Sequence, residues 1–174
     1  MALPDVPCTI LQAGFTVDER AAFLKELADI ADRTGSRIVC FRAGSLAGRA
    51  HVKAALARAA RSFAEGNPIA RTLEMEALLY ASGSRQCSGT DAFSIHPGPN
   101  RAYVCICPES AEAKQLLGAF MRWNEDDWEE ISPEKEARLR ELFGITQAEL
   151  DAAGGPDRLP DLVLERVALL EVYR

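Results

Sequence analysis

Residues 8–41 read CTILQAGFTVDERAAFLKELADIADRTGSRIVCF, and this run decides the fold. Its first part, Cys8 to Thr16, predicts a strand weakened by Gly14. From residue 19 to residue 33 the period changes. Ala22, Phe23, Leu27 and Ile30 recur at helical spacing, Asp18 stands at an expected N-cap, and Gly35 closes the helix in the usual role. Arg37 to Phe41 is short and β-branched again, a second strand.

Outward from this run the same alternation continues. A helix over about 46–65 places Val52, Leu56, Ala59 and Phe63 in one apolar arc, with Arg49, Lys53, Arg58 and Arg61 fanned across the other side. Residues 73–82 are apolar nearly all round, with Thr72 as N-cap and Gly83 as terminator, which predicts a helix buried on most sides. Ser84 is placed to cap a short helix that begins at Arg85-Gln86 and ends near Phe93. The turn cluster Pro97-Gly98-Pro99-Asn100 then leads into a third strand, Ala102 to Cys107. Helices follow over about 109–124 and 133–143, and Thr146 with Glu149 forms a capping-box pattern for another. The apolar density of 162–173 exceeds one amphipathic face and predicts a helix running into a last strand. Short strand signals among longer helical patterns predict an α+β fold. It is expected to be one domain over 1–174, with a small, mainly antiparallel sheet of about four strands packed with helices.

The chain has 174 residues, 48% hydrophobic and 26% charged, which excludes disorder and fibre. The N-terminus lacks the pattern of a signal peptide, and no apolar run approaches the ~20 residues that span a bilayer; a cytoplasmic protein with no membrane partner is expected. The five cysteines (Cys8, Cys40, Cys87, Cys105, Cys107) form no framework of spacings and are expected to be reduced and dispensable. The net charge of −6 hides an asymmetry. Six basic side chains and no acid lie between Gly35 and Ala64, whereas seven acids against Lys135 alone lie between Glu125 and Glu136. One positive and one negative face follow if the fold keeps these segments apart.

No Gly-rich dinucleotide loop, phosphate-binding Gly-Lys-Ser/Thr loop or nucleophile elbow is present, so no cofactor is expected. His51 and His96 are the two histidines, and nothing beside them suggests an activated thiolate. Cys105 and Cys107 share a strand face, but no clustered pair supplies further zinc ligands. The balance favours a binding protein over an enzyme.

From Gly48 onward the chain resembles a family. Gly48, His51, Ala55, Ala59, Phe63 and Gly66, then Arg71-Thr72-Leu73, Glu76, Leu78-Leu79-Tyr80-Ala81-Ser82-Gly83 and Arg85-Gln86, look like the Cgi/TPRKB family of PRPK-kinase-binding subunits of the KEOPS complex. The ending Val163 to Leu170 is similar to the archaeal branch. One departure is Phe93-Ser94-Ile95, where the family has Phe-Gly-Ile. The resemblance implies an α+β fold, no catalytic activity, and membership of the assembly that installs threonylcarbamoyladenosine in tRNA. It implies docking on the Bud-type (PRPK-like) kinase/ATPase, an indirect link to the Kae-type subunit, and capture of tRNA at its single-stranded CCA end.

On that basis Arg49, Lys53, Arg61, Arg71, Arg85 and Gln86 are the expected tRNA contacts. Leu162, Val163, Arg166 and Leu169 are the expected kinase contacts, with 162, 166 and 169 on one helical stripe that is shared with the core. Two other readings stay open: an RNA-binding module unrelated to KEOPS, and a small enzyme using a thiol or carboxylate.

Overall fold

The computed structural model describes residues 7–173. The element order is β1 (Thr9–Val17), α1 (Arg20–Thr34), β2 (Arg37–Arg42), α2 (Arg49–Ala64), α3 (Leu73–Ser82), β3 (Gly98–Cys107), α4 (Ala111–Leu117), β4 (Arg122–Trp123), α5 (Pro133–Phe143), α6 (Gln147–Ala153) and α7 (Leu159–Tyr173). The strands form one antiparallel sheet in the order β2-β3-β1-β4. The fold is α+β.

Register divides the core in two. Along β2 and β3, successive residues face opposite sides. Ile38, Cys40, Ala102, Val104 and Ile106 pack with α1 residues such as Phe23 and Leu27 and with Leu117 of α4. Val39, Phe41, Tyr103, Cys105 and Cys107 join α2, α3, α5 and α7 on the other face. β3, with β2 and β1 on either side of it, is thus covered on both faces, which is why 102–107 reads as an unbroken apolar run.

Several local expectations need correction. Glu19, not Asp18, caps α1, its carboxylate accepting from the Ala21 and Ala22 amides. Residues 87–93 form a 3-10 helix without a side-chain cap, and Ser84 Oγ accepts from the Gln86 amide and donates to the Gln86 carbonyl instead. The helix expected to reach residue 124 stops at Leu117, because Met121 turns inward and Arg122–Trp123 pairs with Ala13–Gly14 as the edge strand. That pair supplies the fourth strand, and 159–173 is helical throughout. Its apolar excess reflects a helix flanked by α2, α3, α5 and α6.

Cysteine usage also differs from the expectation. Cys8 and Cys107 form a disulfide, their Cα atoms 4.5 Å apart. The cause is register: Thr9 opposes Ile106, so the next step of the antiparallel ladder sets Cys8 against Cys107 across a separation that no local spacing reveals. Cys40, Cys87 and Cys105 remain free. Burial raises the Cys105 thiol well above its ordinary value and pushes Cys40 up to about 12, which makes both poor nucleophiles.

His51 fastens α2 to α3. Its Nδ1 accepts from the Ala47 amide at 3.0 Å, so Nε2 carries the proton and donates to the Ala81 carbonyl at 2.8 Å. Burial first, with the Lys135 charge adding to it, lowers His51 from 6.5 to about 4 against the raising effect of the Ala81 bond. The folded value is the lower one, so the unfolded chain binds the extra proton. The contribution is intact above about pH 6.5 and is lost as pH falls towards 4, a loss of ~3 kcal/mol. Urea unfolding between pH 7 and pH 4 should therefore fall more steeply for wild type than for His51→Gln. Parallel curves would contradict this role.

Candidate partner and nucleic-acid interface

The two segments of opposite charge are not kept apart. Trp128 is buried against Tyr103, with ring centroids 5.4 Å apart, and the Arg101 guanidinium lies over the Trp128 ring, 4.5 Å from its centroid. This anchor brings the acidic stretch onto the start of α2. Glu129 Oε1 accepts from the Arg49 amide at 2.9 Å, where the positive end of the helix favours a carboxylate. Gly48, at φ +109°, is required there twice over: its backbone is left-handed, and a Cβ would collide with the Glu129 carboxylate. The condition for two separate charged faces is therefore not met at the start of α2.

The six residues expected to meet tRNA occupy different settings. Arg49 is half-buried and donates from Nη1 to the Ile10 carbonyl at 2.8 Å, tying α2 to β1. Arg61 lies twelve positions further along α2, about 18 Å by helical rise. It stands 3.6 Å from Glu171, which Arg58 also binds. Arg85 donates to the Tyr173 carbonyl at 2.5 Å and so neutralises the last turn of α7. Gln86 is exposed beside it. Lys53 and Arg71 are exposed, and among the described residues neither forms an ion pair. Arg71 borders a hollow of about 190 Å³ with Arg37, Phe63 and Leu73.

The four residues expected to meet a kinase divide by depth. Val163 is fully buried and Leu162 nearly so; both belong to the core between α7 and its neighbours. Arg166 is half-buried and binds Glu149 with both guanidinium ends, at 2.6 and 2.8 Å, while Nε reaches the Phe143 carbonyl at 3.3 Å. That paired geometry holds Glu149 below the usual carboxylate range and raises Arg166. Leu169 is partly exposed. It lines a groove of about 390 Å³ with Gly83, Arg85, Leu142, Arg166 and Tyr173. Tyr173 of this lining is 67% exposed and its chain neighbour Val172 72%, the largest exposures among the bulky apolar side chains described.

This groove is where the two separated stretches that carry the family resemblance meet. Gly83 closes α3 in the left-handed conformation, and its missing Cβ would lie 3.4 Å from the Arg166 carbonyl oxygen, so the backbones of 83 and 166 approach closely. Sequence reasoning missed Tyr173 and Val172. Extending the stripe 162, 166, 169 by one more turn reaches Tyr173, so the signal was present.

No family model matches the chain. It is similar to a protein described as regulatory protein Cgi121 from Methanocaldococcus jannaschii, with 29% identity over 107 residues, 62% of this chain and 67% of that protein. Among the described residues, no helix is long and apolar enough to cross a membrane.

Proposed function

We propose that this chain is a non-catalytic regulatory subunit of a KEOPS-type assembly, one that docks on a Bud-type kinase/ATPase and helps recruit tRNA. The observation that carries the reading is the groove between Gly83 and Arg166. The 71–86 and 163–170 stretches, which resemble the kinase-binding family, are distant in sequence and build opposite walls of one partly apolar depression. The similarity to a protein named as regulatory supports the same assignment.

Within this reading the kinase covers Leu169, Val172 and Tyr173, whose exposure leaves apolar area for a partner to bury. Leu162 and Val163 act from beneath, as core, and Arg166 shapes the wall through Glu149. The tRNA backbone is held chiefly by Lys53 and Arg71, the two exposed cations of the expected set that form neither an ion pair nor a side-chain hydrogen bond among the described residues, with Arg61, Arg85 and Gln86 as further contacts. Arg49 contributes through the position of α2 rather than by contact. The CCA end is the part whose bases unstack readily onto a protein surface.

A titration of intact and CCA-trimmed tRNA against wild type and Lys53→Glu/Arg71→Glu tests the nucleic-acid half. The double variant is expected to bind about 10- to 100-fold more weakly and to show a salt dependence reduced by about one phosphate contact per residue. Equal affinity in both proteins would remove Lys53 and Arg71 from the interface. Indifference to trimming would remove the tail.

A further inference from the structure

Around residues 92–96, which lead into β3, cationic side chains from separate elements converge: Arg20 at the start of α1, Arg42 at the end of β2, His96, and Arg138 in α5. The geometry points to a phosphate-binding site formed by Arg42, His96 and Arg138, with Arg20 at its edge. Arg138 is fixed in place, its Nε and Nη2 donating to Ser45 Oγ at 3.2 and 3.0 Å and Nη2 also to the Ala92 carbonyl at 3.4 Å. Arg20 Nη2 donates to Ser94 Oγ at 3.1 Å; Ser94 stands where the resembling family has glycine. The loop between them is pinned by Asn100, which accepts from the His96 amide at 3.1 Å and donates to the His96 carbonyl at 2.7 Å. Arg138, Arg20 and the backbone of His96 are therefore held in position before any ligand arrives.

Their charges are not balanced from within. Among the described residues no carboxylate forms an ion pair with Arg20, Arg42 or Arg138. Arg42 Nε, His96 Nδ1 and Arg20 Nε are shielded from solvent and have no hydrogen-bond partner. Burial, then the neighbouring Arg138, lowers the pKa of Arg42. His96 is lowered by burial and by the charges that face it, Arg42 and Arg138. Like charges gathered beside unpaired donors are relieved by an anion, and the Arg42 guanidinium, the remaining Nη1 of Arg138 and an imidazole suit the several oxygens of a phosphoryl group. Arg138 also borders a cavity of about 590 Å³ whose wall mixes Arg101 and Lys135 with Asp127, Glu130 and Glu134. Arg42 and His96 lie outside that mixed wall. This site involves neither Lys53 nor Arg71, so it stands or falls apart from the tRNA assignment above.

The full chain would be titrated with inorganic phosphate at constant ionic strength, by calorimetry and by the pH titration of the His96 imidazole in NMR spectra. Phosphate is expected to raise the His96 midpoint, and Arg42→Gln to weaken phosphate binding at least tenfold, with partial recovery in Arg42→Lys. His96→Gln, which leaves both arginines in place, is expected to weaken binding by a smaller factor and serves if Arg42→Gln fails to fold. Displacement of phosphate by added tRNA would identify RNA phosphate as the source, and simultaneous binding a free phosphate or phosphate ester; either supports the site. Wild-type binding no stronger than that of chloride, or binding unchanged in the folded Arg42→Gln and His96→Gln variants, would overturn it.

Discussion

Lysine at position 163 is expected to leave the protein largely unfolded at room temperature. Val163 is fully buried on the face of α7 that meets the core formed with α2, α3 and α5. An unpaired ammonium there is costly, and the replaced valine loses its packing as well. The combined loss is at least about 4 kcal/mol, a large part of the 5–15 kcal/mol that ordinarily holds a domain folded. Circular dichroism with a urea titration reads it directly. A cooperative transition close to that of wild type would mean that α7 does not pack as described.

Arginine at position 169 is expected to do the opposite: leave the fold intact and abolish docking on the kinase. Leu169 lies six residues, about 1.7 turns, further along the same helix and opens into the groove beside Gly83 and Tyr173. A cation placed there, close to Arg85 and Arg166, meets like charge and keeps a partner's apolar side chain out. Affinity for the Bud-type kinase should fall by two to three orders of magnitude, about 3–4 kcal/mol. The thermal midpoint should stay within a few degrees of wild type. Undiminished kinase binding by the folded variant would take Leu169 out of the interface.

How much of this was legible from the chain depends on whether the cause was local. The caps at Thr72, Thr146 and Gly35 were, because each involves a side chain or a turn within a few residues of the element it ends. The antiparallel α+β class followed from the same local periods. β4 did not, since two residues carry no period; it exists because the edge of β1 is free and Gln12 reaches the carbonyls of Asn124 and Asp126. The Cys8–Cys107 pair is a consequence of strand register, and the seat of Glu129 on α2 a consequence of where Trp128 is buried. Both are long-range effects.

The candidate site shows the same division. The stripe 162, 166, 169 was visible as spacing, but which members face the core depends on α2, α3 and α5 arriving on one side of α7. Arg49 and Arg61 looked alike on the helical wheel. In the fold one holds a carbonyl of β1, and the other shares Glu171 with Arg58. The phosphate cluster joins positions 20, 42, 96 and 138 and has no trace in any window of the sequence.

The measurement that bears most directly on the account is co-elution of the wild-type chain with a Bud-type kinase on a sizing column, with Leu169→Arg run beside it. The account predicts a stable complex for wild type and separate peaks for the folded variant. A wild-type chain that elutes alone at concentrations well above micromolar would contradict it.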